Sequence, residues 1–386
     1  MFSKRTNWNL APNRFTRAVE AHQREGRERL DLTASNPTTI GLQYDPNLLN
    51  AFAHSDALRY SPEPRGLRSA REAVSSYYES RGGPVSPDRV ILTTSTSEAY
   101  TFVFRLLCEP GDEVLVPSPS YPLFEFLADL QDVRLKPYPL FYDHGWHVDM
   151  HALRAALTDR TRAIMAVHPN NPTGSYLHAG EIAELNALCS GGNLALVIDE
   201  VFLDFAHDSE RRSSFAVNTD ALTFTLSGLS KISGLPQMKF AWLVASGPDA
   251  LAAQALERLE VIADTYLSMN TPTQLAAPAM FEQRHSFQRQ LMARIRTNLA
   301  GLDAQLSRQS LCRRLELEGG WYATLRVPIT RSDEDLAIDL LQQRDVLVHP
   351  GHFYDFPSDG HLILSLIAPE PIFREGVSRV LNLLSS

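Results

Sequence analysis

From about residue 66 to residue 246, short apolar runs alternate with segments of helical spacing, and nothing else in the chain restricts its fold as tightly. The runs include "RVILTT", "EVLVP", "RAIMAVHP" and "LALVIDEVF", while "GLRSAREAVSSYYESRG" and "AGEIAELNALCSGG" are two of the helical segments. Four to six apolar residues make a strand that can be buried on both faces, and a helix between two such strands serves as a crossover. The pattern predicts an α/β fold with a large, mostly parallel central sheet between helices. In such sheets ligands collect at the carboxyl ends of the strands. After about residue 275 the texture becomes a long helical stretch followed by short strands, "RLELEG", "WYATLRV", "VLVHPG" and "HLILSLI", and a closing helix. We therefore expect a large domain over 49–272 and a smaller α+β domain over 273–386. An N-terminal segment, 1–48, should complete the smaller one, with its first helix capped by Asn13.

The formal charge of -9 argues against nonspecific nucleic-acid binding, which favours basic chains. No apolar run approaches a membrane span, and the first residues lack the apolar core of a signal peptide. Cys108, Cys189 and Cys312 are too widely spaced to suggest a disulfide framework, so a reducing, cytoplasmic setting is expected.

Several polar groups fall where the sheet should present them. "TTSTSEA" puts Ser95, Thr96 and Ser97 between a strand and a helix, where hydroxyls and backbone N–H groups can take an anion. The spacing of Ser95 and Glu98 equally suits an ordinary capping box. "PSPSYPLF" sets Tyr121 on the next strand-to-helix turn, and "NNPTG" holds Asn171 in a tight one. "VIDEVF" ends a strand with Asp199, whose carboxylate needs a partner if it is buried. "GLSKISGLPQMKFAW" then supplies Ser230, Lys231 and Lys239.

In this order the residues resemble the class I and II aminotransferases, fold-type I enzymes that use pyridoxal 5'-phosphate. The resemblance runs from "NPTTIGLQYDP" to the last helix. It implies that 49–272 binds the cofactor. Lys231 would hold the cofactor aldehyde and move the substrate proton, and Asp199 would pair with the ring nitrogen. Tyr121 would stack on the ring, and Asn171 would donate to its phenolic oxygen. Ser95, Thr96, Ser97, Ser230 and Lys239 would hold the phosphate. Tyr60 would reach the neighbouring subunit's site, which implies a homodimer.

The chain departs from the family pattern at four positions. Gly228 stands where a serine is usual, and Lys239 replaces an arginine, keeping the charge without the planar fork. Phe202 replaces a tyrosine beside the phenolic oxygen. Ile363 stands where relatives carry an arginine for the substrate carboxylate. Asn36, Arg65 and His352 are the candidates to replace that arginine at the substrate.

"DHGWHVDMH" offers Asp143, His144, His147, Asp149 and His151 as metal-like ligands, but a surface turn with Asp149 capping a helix accounts for it, and no metal is expected. The implied function is amino transfer between an amino acid or related amine and a 2-oxo acid. A lyase, racemase or cyclase would use the same cofactor. A regulator with an aminotransferase-like body would need a basic DNA-binding module that this sequence does not contain.

Overall fold

The computed structural model describes residues 1–122, 124–208 and 213–385. A two-residue strand, β1 (Leu30–Asp31), precedes the eight strands of one sheet. These are β2 (Val90–Thr93), β3 (Glu113–Ser118), β4 (Arg134–Tyr142), β5 (Trp146–Val148), β6 (Thr161–Val167), β7 (Ala195–Asp199), β8 (Thr223–Gly228) and β9 (Ala241–Ser246). Their order is β2-β9-β8-β7-β6-β3-β4-β5. The pairs β4/β3, β3/β6, β6/β7 and β7/β8 are parallel. Strand β9 runs against both β8 and β2, and β5 runs against β4. Strands β2, β7, β8 and β9 are buried along their whole length, as continuous apolar runs covered on two faces must be.

The second sheet is antiparallel, with β10 (Arg313–Arg314), β11 (Tyr322–Arg326), β13 (His349–Pro350) and β14 (His361–Ser365) in the order β10-β11-β14-β13. The run "VLVHPG", expected as one strand, splits at Val348. Its first half, β12 (Val346–Leu347), pairs with β1, and its second half is β13 on β14. Two different partners cannot extend one straight ladder, and Pro350 has no N–H to continue it. "RLELEG" contributes only the two residues of β10.

The N-terminal helix Arg14–Arg24 is capped by Asn13, which accepts from Thr16 N–H at 2.7 Å. It is tied to the C-terminal part by His22 Nε2 and Asp345 at 2.8 Å. One apolar cluster joins Phe15, Leu115, Ile164, Leu196, Trp321 and Val380, so packing is continuous between the two sheets. Among the described residues, no helix is long and apolar enough to cross a membrane.

Candidate active site

At the carboxyl ends of the large sheet lies a cavity of about 290 Å³. Thr96, Ser97, Tyr121, Asn171, Asp199, Phe202, Ser230 and Lys231 all line it. They come from separate strand ends, which parallel strands bring side by side.

Lys231 sits in the short helix Leu229–Ile232 that follows β8. Its Nζ lies 5.0 Å from the ring centre of Trp321 and 5.7 Å from that of Phe202. Burial among these rings disfavours the ammonium and lowers its pKa to about 8, while the charge of Asp199 pulls the other way. Asp199, the last residue of β7, is only 7% exposed. Its Oδ2 accepts from Tyr100 Oη at 2.8 Å and its Oδ1 from Val201 N–H at 3.0 Å. Burial pushes the Asp199 carboxyl pKa up against these hydrogen bonds, so the group is suited to a cationic partner. Asn171 is buried, and its Oδ1 has no hydrogen-bond partner among the described residues. Its neighbour Asn170 holds the turn, bonding Pro119 O at 3.1 Å and Thr173 Oγ1 at 2.9 Å. Tyr121 is half-exposed, edge-on to Phe124.

Thr96 and Ser97 open the twelve-residue helix Thr96–Leu107. Ser95 is its N-cap, and its side chain accepts from Glu98 N–H at 3.2 Å, so that hydroxyl is engaged in the helix. The capping reading thus describes the Ser95 side chain, while the next two residues face the cavity. Donors at a helix N-terminus, a buried amide, a buried carboxylate and a partly buried lysine fit a ring that carries an anionic group, a cationic nitrogen and a carbonyl.

Other expected residues are not among those that line this cavity in the single chain. Lys239 is exposed, with φ 53°, at the end of the turn Pro236–Met238. Tyr60 is 78% exposed and lines a separate recess with Glu63 and Met269. Arg65 is drawn off by Glu260 at 2.6 Å and Asp88 O at 2.9 Å. The Asn36 side chain caps a turn, accepting from Thr38 N–H at 3.0 Å. His352 is exposed, its ring 4.7 Å from that of Phe353. The histidine that lines the cavity is His349, three residues earlier, together with Ser35, Tyr322, Phe353 and Tyr354. All five come from outside the large sheet. The signal for Phe353 and Tyr354 was the aromatic run "HFYDF" after a strand, which did not reveal which histidine turns inward.

Of the suspected metal ligands, Asp149 caps the helix Met150–Ala156, and exposed His144 pairs with Asp143. His147 lies near His178 and Glu181, but Glu181 already accepts Val148 N–H and His178 N–H, each at 2.7 Å.

Gly228 has a packing reason. A Cβ there would lie 2.9 Å from Ala241 Cβ and 3.2 Å from Phe240 O, across the β8–β9 ladder. The Gly228→Ser variant is expected to be about 1–3 kcal/mol less stable. Its urea midpoint would fall, and an unchanged midpoint would show that the ladder can open.

Residues 28–367 match the family described as aminotransferase class I and II. The glutamate-pyruvate aminotransferase AlaA of Haemophilus influenzae is 27% identical over 388 residues, covering 94% of this chain and 92% of that one. The alanine aminotransferase of Mycobacterium tuberculosis is 28% identical over 374 residues, covering 94% and 87%. In fold, an alanine aminotransferase structure from Pyrococcus furiosus superimposes with a TM-score of 0.90 at 22% identity, over 100% of both chains.

Proposed function

The chain belongs to the class I and II aminotransferase family and is an aminotransferase, and on that premise we propose that it works with pyridoxal 5'-phosphate held in this cavity. When bound, that cofactor supplies an aldehyde to carry the amino group and a ring that accepts electrons.

The chain's own residues do the rest. Lys231 would hold the aldehyde, and its amine would move a proton at the substrate Cα. Asp199 keeps the ring nitrogen protonated. Thr96, Ser97 and Ser230 take the phosphate, with the backbone at Ser95 and the exposed side chain of Lys239 completing its shell. Tyr121 covers one ring face, Asn171 donates to the phenolic oxygen, and Phe202 walls that side without donating. In this reading, residues 49–272 hold the cofactor, while 1–48 and 273–386 close over it. We further propose a homodimer in which Tyr60 serves the neighbouring site. The exposed Leu49, Leu58 and Tyr60 support that contact. The unpaired cysteines suit the cytoplasm.

The observation that carries the proposal is a partly buried lysine, its amine shifted to about 8, in one cavity with a buried carboxylate. Borohydride reduction after incubation with the cofactor should label Lys231. The neutral amine is the nucleophile, so the initial labelling rate should rise about tenfold per pH unit below about 8 and level off above it. Labelling elsewhere, or none, would end the proposal. The names of the relatives put alanine and glutamate first among donors to try, with pyruvate as acceptor.

A further inference from the structure

Amino acids and 2-oxo acids both carry a carboxylate, and an ion moved into a cavity shielded from water needs a cation or several donors there. Among the described lining residues only Lys231 and His349 can supply a cation. Lys231 is committed to the amino group, and no arginine is among the described lining residues.

His349 is placed for the task. It lies on β13 of the small sheet, and its Nδ1 is 3.0 Å from Tyr354 Oη. No described residue hydrogen-bonds its Nε2. Tyr322, Phe353 and Tyr354 line the cavity with it. Its cross-strand partner is Ile363, 1% exposed, and Ile363 also pairs with Thr324, whose buried Oγ1 has no hydrogen-bond partner among the described residues. Cross-strand partners project from the same face of a sheet, so Ile363 and Thr324 lie beside His349 as an apolar side chain and a neutral hydroxyl.

We infer that His349 is the specificity-determining residue that receives the substrate carboxylate, donating from Nε2 while Nδ1–H donates to Tyr354. The inference rests on the cavity being the amino-transfer site. Burial favours the neutral imidazole, and Asp31, itself held by Thr33 N–H at 2.8 Å, favours the charged one. The other ionisable groups among the described residues lining the cavity are Tyr121, Tyr322, Tyr354, Lys231 and Asp199. A bound carboxylate adds a charge that favours imidazolium, so binding should take up a proton and weaken as pH rises.

The test uses cofactor-loaded enzyme and two unreactive probes, 3-phenylpropionate and its primary amide. Calorimetry should show the carboxylate binding about tenfold more weakly per pH unit above the imidazole pKa, with the amide indifferent to pH. In His349→Gln, the KM for α-amino acids should rise about tenfold or more with kcat within about threefold, and the probe's pH dependence should vanish. Adding Ile363→Arg should restore carboxylate binding without pH dependence. Carboxylate binding by wild type that ignores pH, or a His349→Gln variant with unchanged KM, would overturn the assignment. The wild-type measurement needs no variant to fold. Failure of the cofactor reading would look different: wild type would transfer no amino group and leave Lys231 unlabelled.

Discussion

Lys231→Ala is expected to lower amino transfer by about 10³-fold or more, since one side chain serves as both the covalent anchor and the proton carrier. No other described lining residue offers a primary amine. The loss should not come from unfolding. A base whose pKa falls from 10.5 to about 8 binds fewer protons folded than unfolded between those values. Burying the charged amine therefore opposes folding below about pH 8, and that opposition is relieved as pH rises from there toward 10.5. Lys231→Met, which keeps an unbranched side chain one atom shorter and drops the charge, should make the cofactor-free protein at least as stable as wild type at pH 7. Denaturant midpoints and a half-reaction assay on the same preparations separate the two effects. Retention of more than about a hundredth of the activity would remove Lys231 from the chemistry.

Asp199→Asn should reduce amino transfer by about 10²–10³-fold and weaken cofactor binding, because an amide has no charge with which to keep the ring nitrogen protonated. The variant retains the shape of the group and an acceptor for Tyr100 Oη, so the end of β7 should persist. The stability effect has the opposite sign. Burial raises the Asp199 pKa, so the folded chain holds this proton more tightly than the unfolded one. The associated stability is present below the ordinary carboxylate pKa of about 4 and is lost as pH rises through the folded value. At neutral pH the cofactor-free Asn variant should match or exceed wild type, with the difference growing as pH increases from acid. Equal cofactor affinity in the two proteins, measured by equilibrium dialysis, would dissociate Asp199 from the ring nitrogen.

Much of the site was legible because its residues follow local rules. Thr96 and Ser97 sit at a helix start, Asp199 at the end of an apolar run and Lys231 just after another, and each of those features is written within a few neighbouring residues. Gly228 was visible as a departure, but its cause, the closeness of Ala241 on the neighbouring strand, was not. The wall formed by Ser35, Tyr322 and His349 was illegible for the same reason. His349 and His352 are three residues apart in a segment whose strand has two residues, too short for alternation to show which side faces inward.

By itself, then, the sequence determined the parallel α/β architecture and the order in which chemical groups meet at its strand ends, because strand and helix periodicities are properties of contiguous residues. Tertiary structure alone decided which histidine enters the cavity and how Lys231 and Asp199 ionise. Those outcomes depend on pairing partners and on water excluded by segments far away in the chain, which no local pattern records.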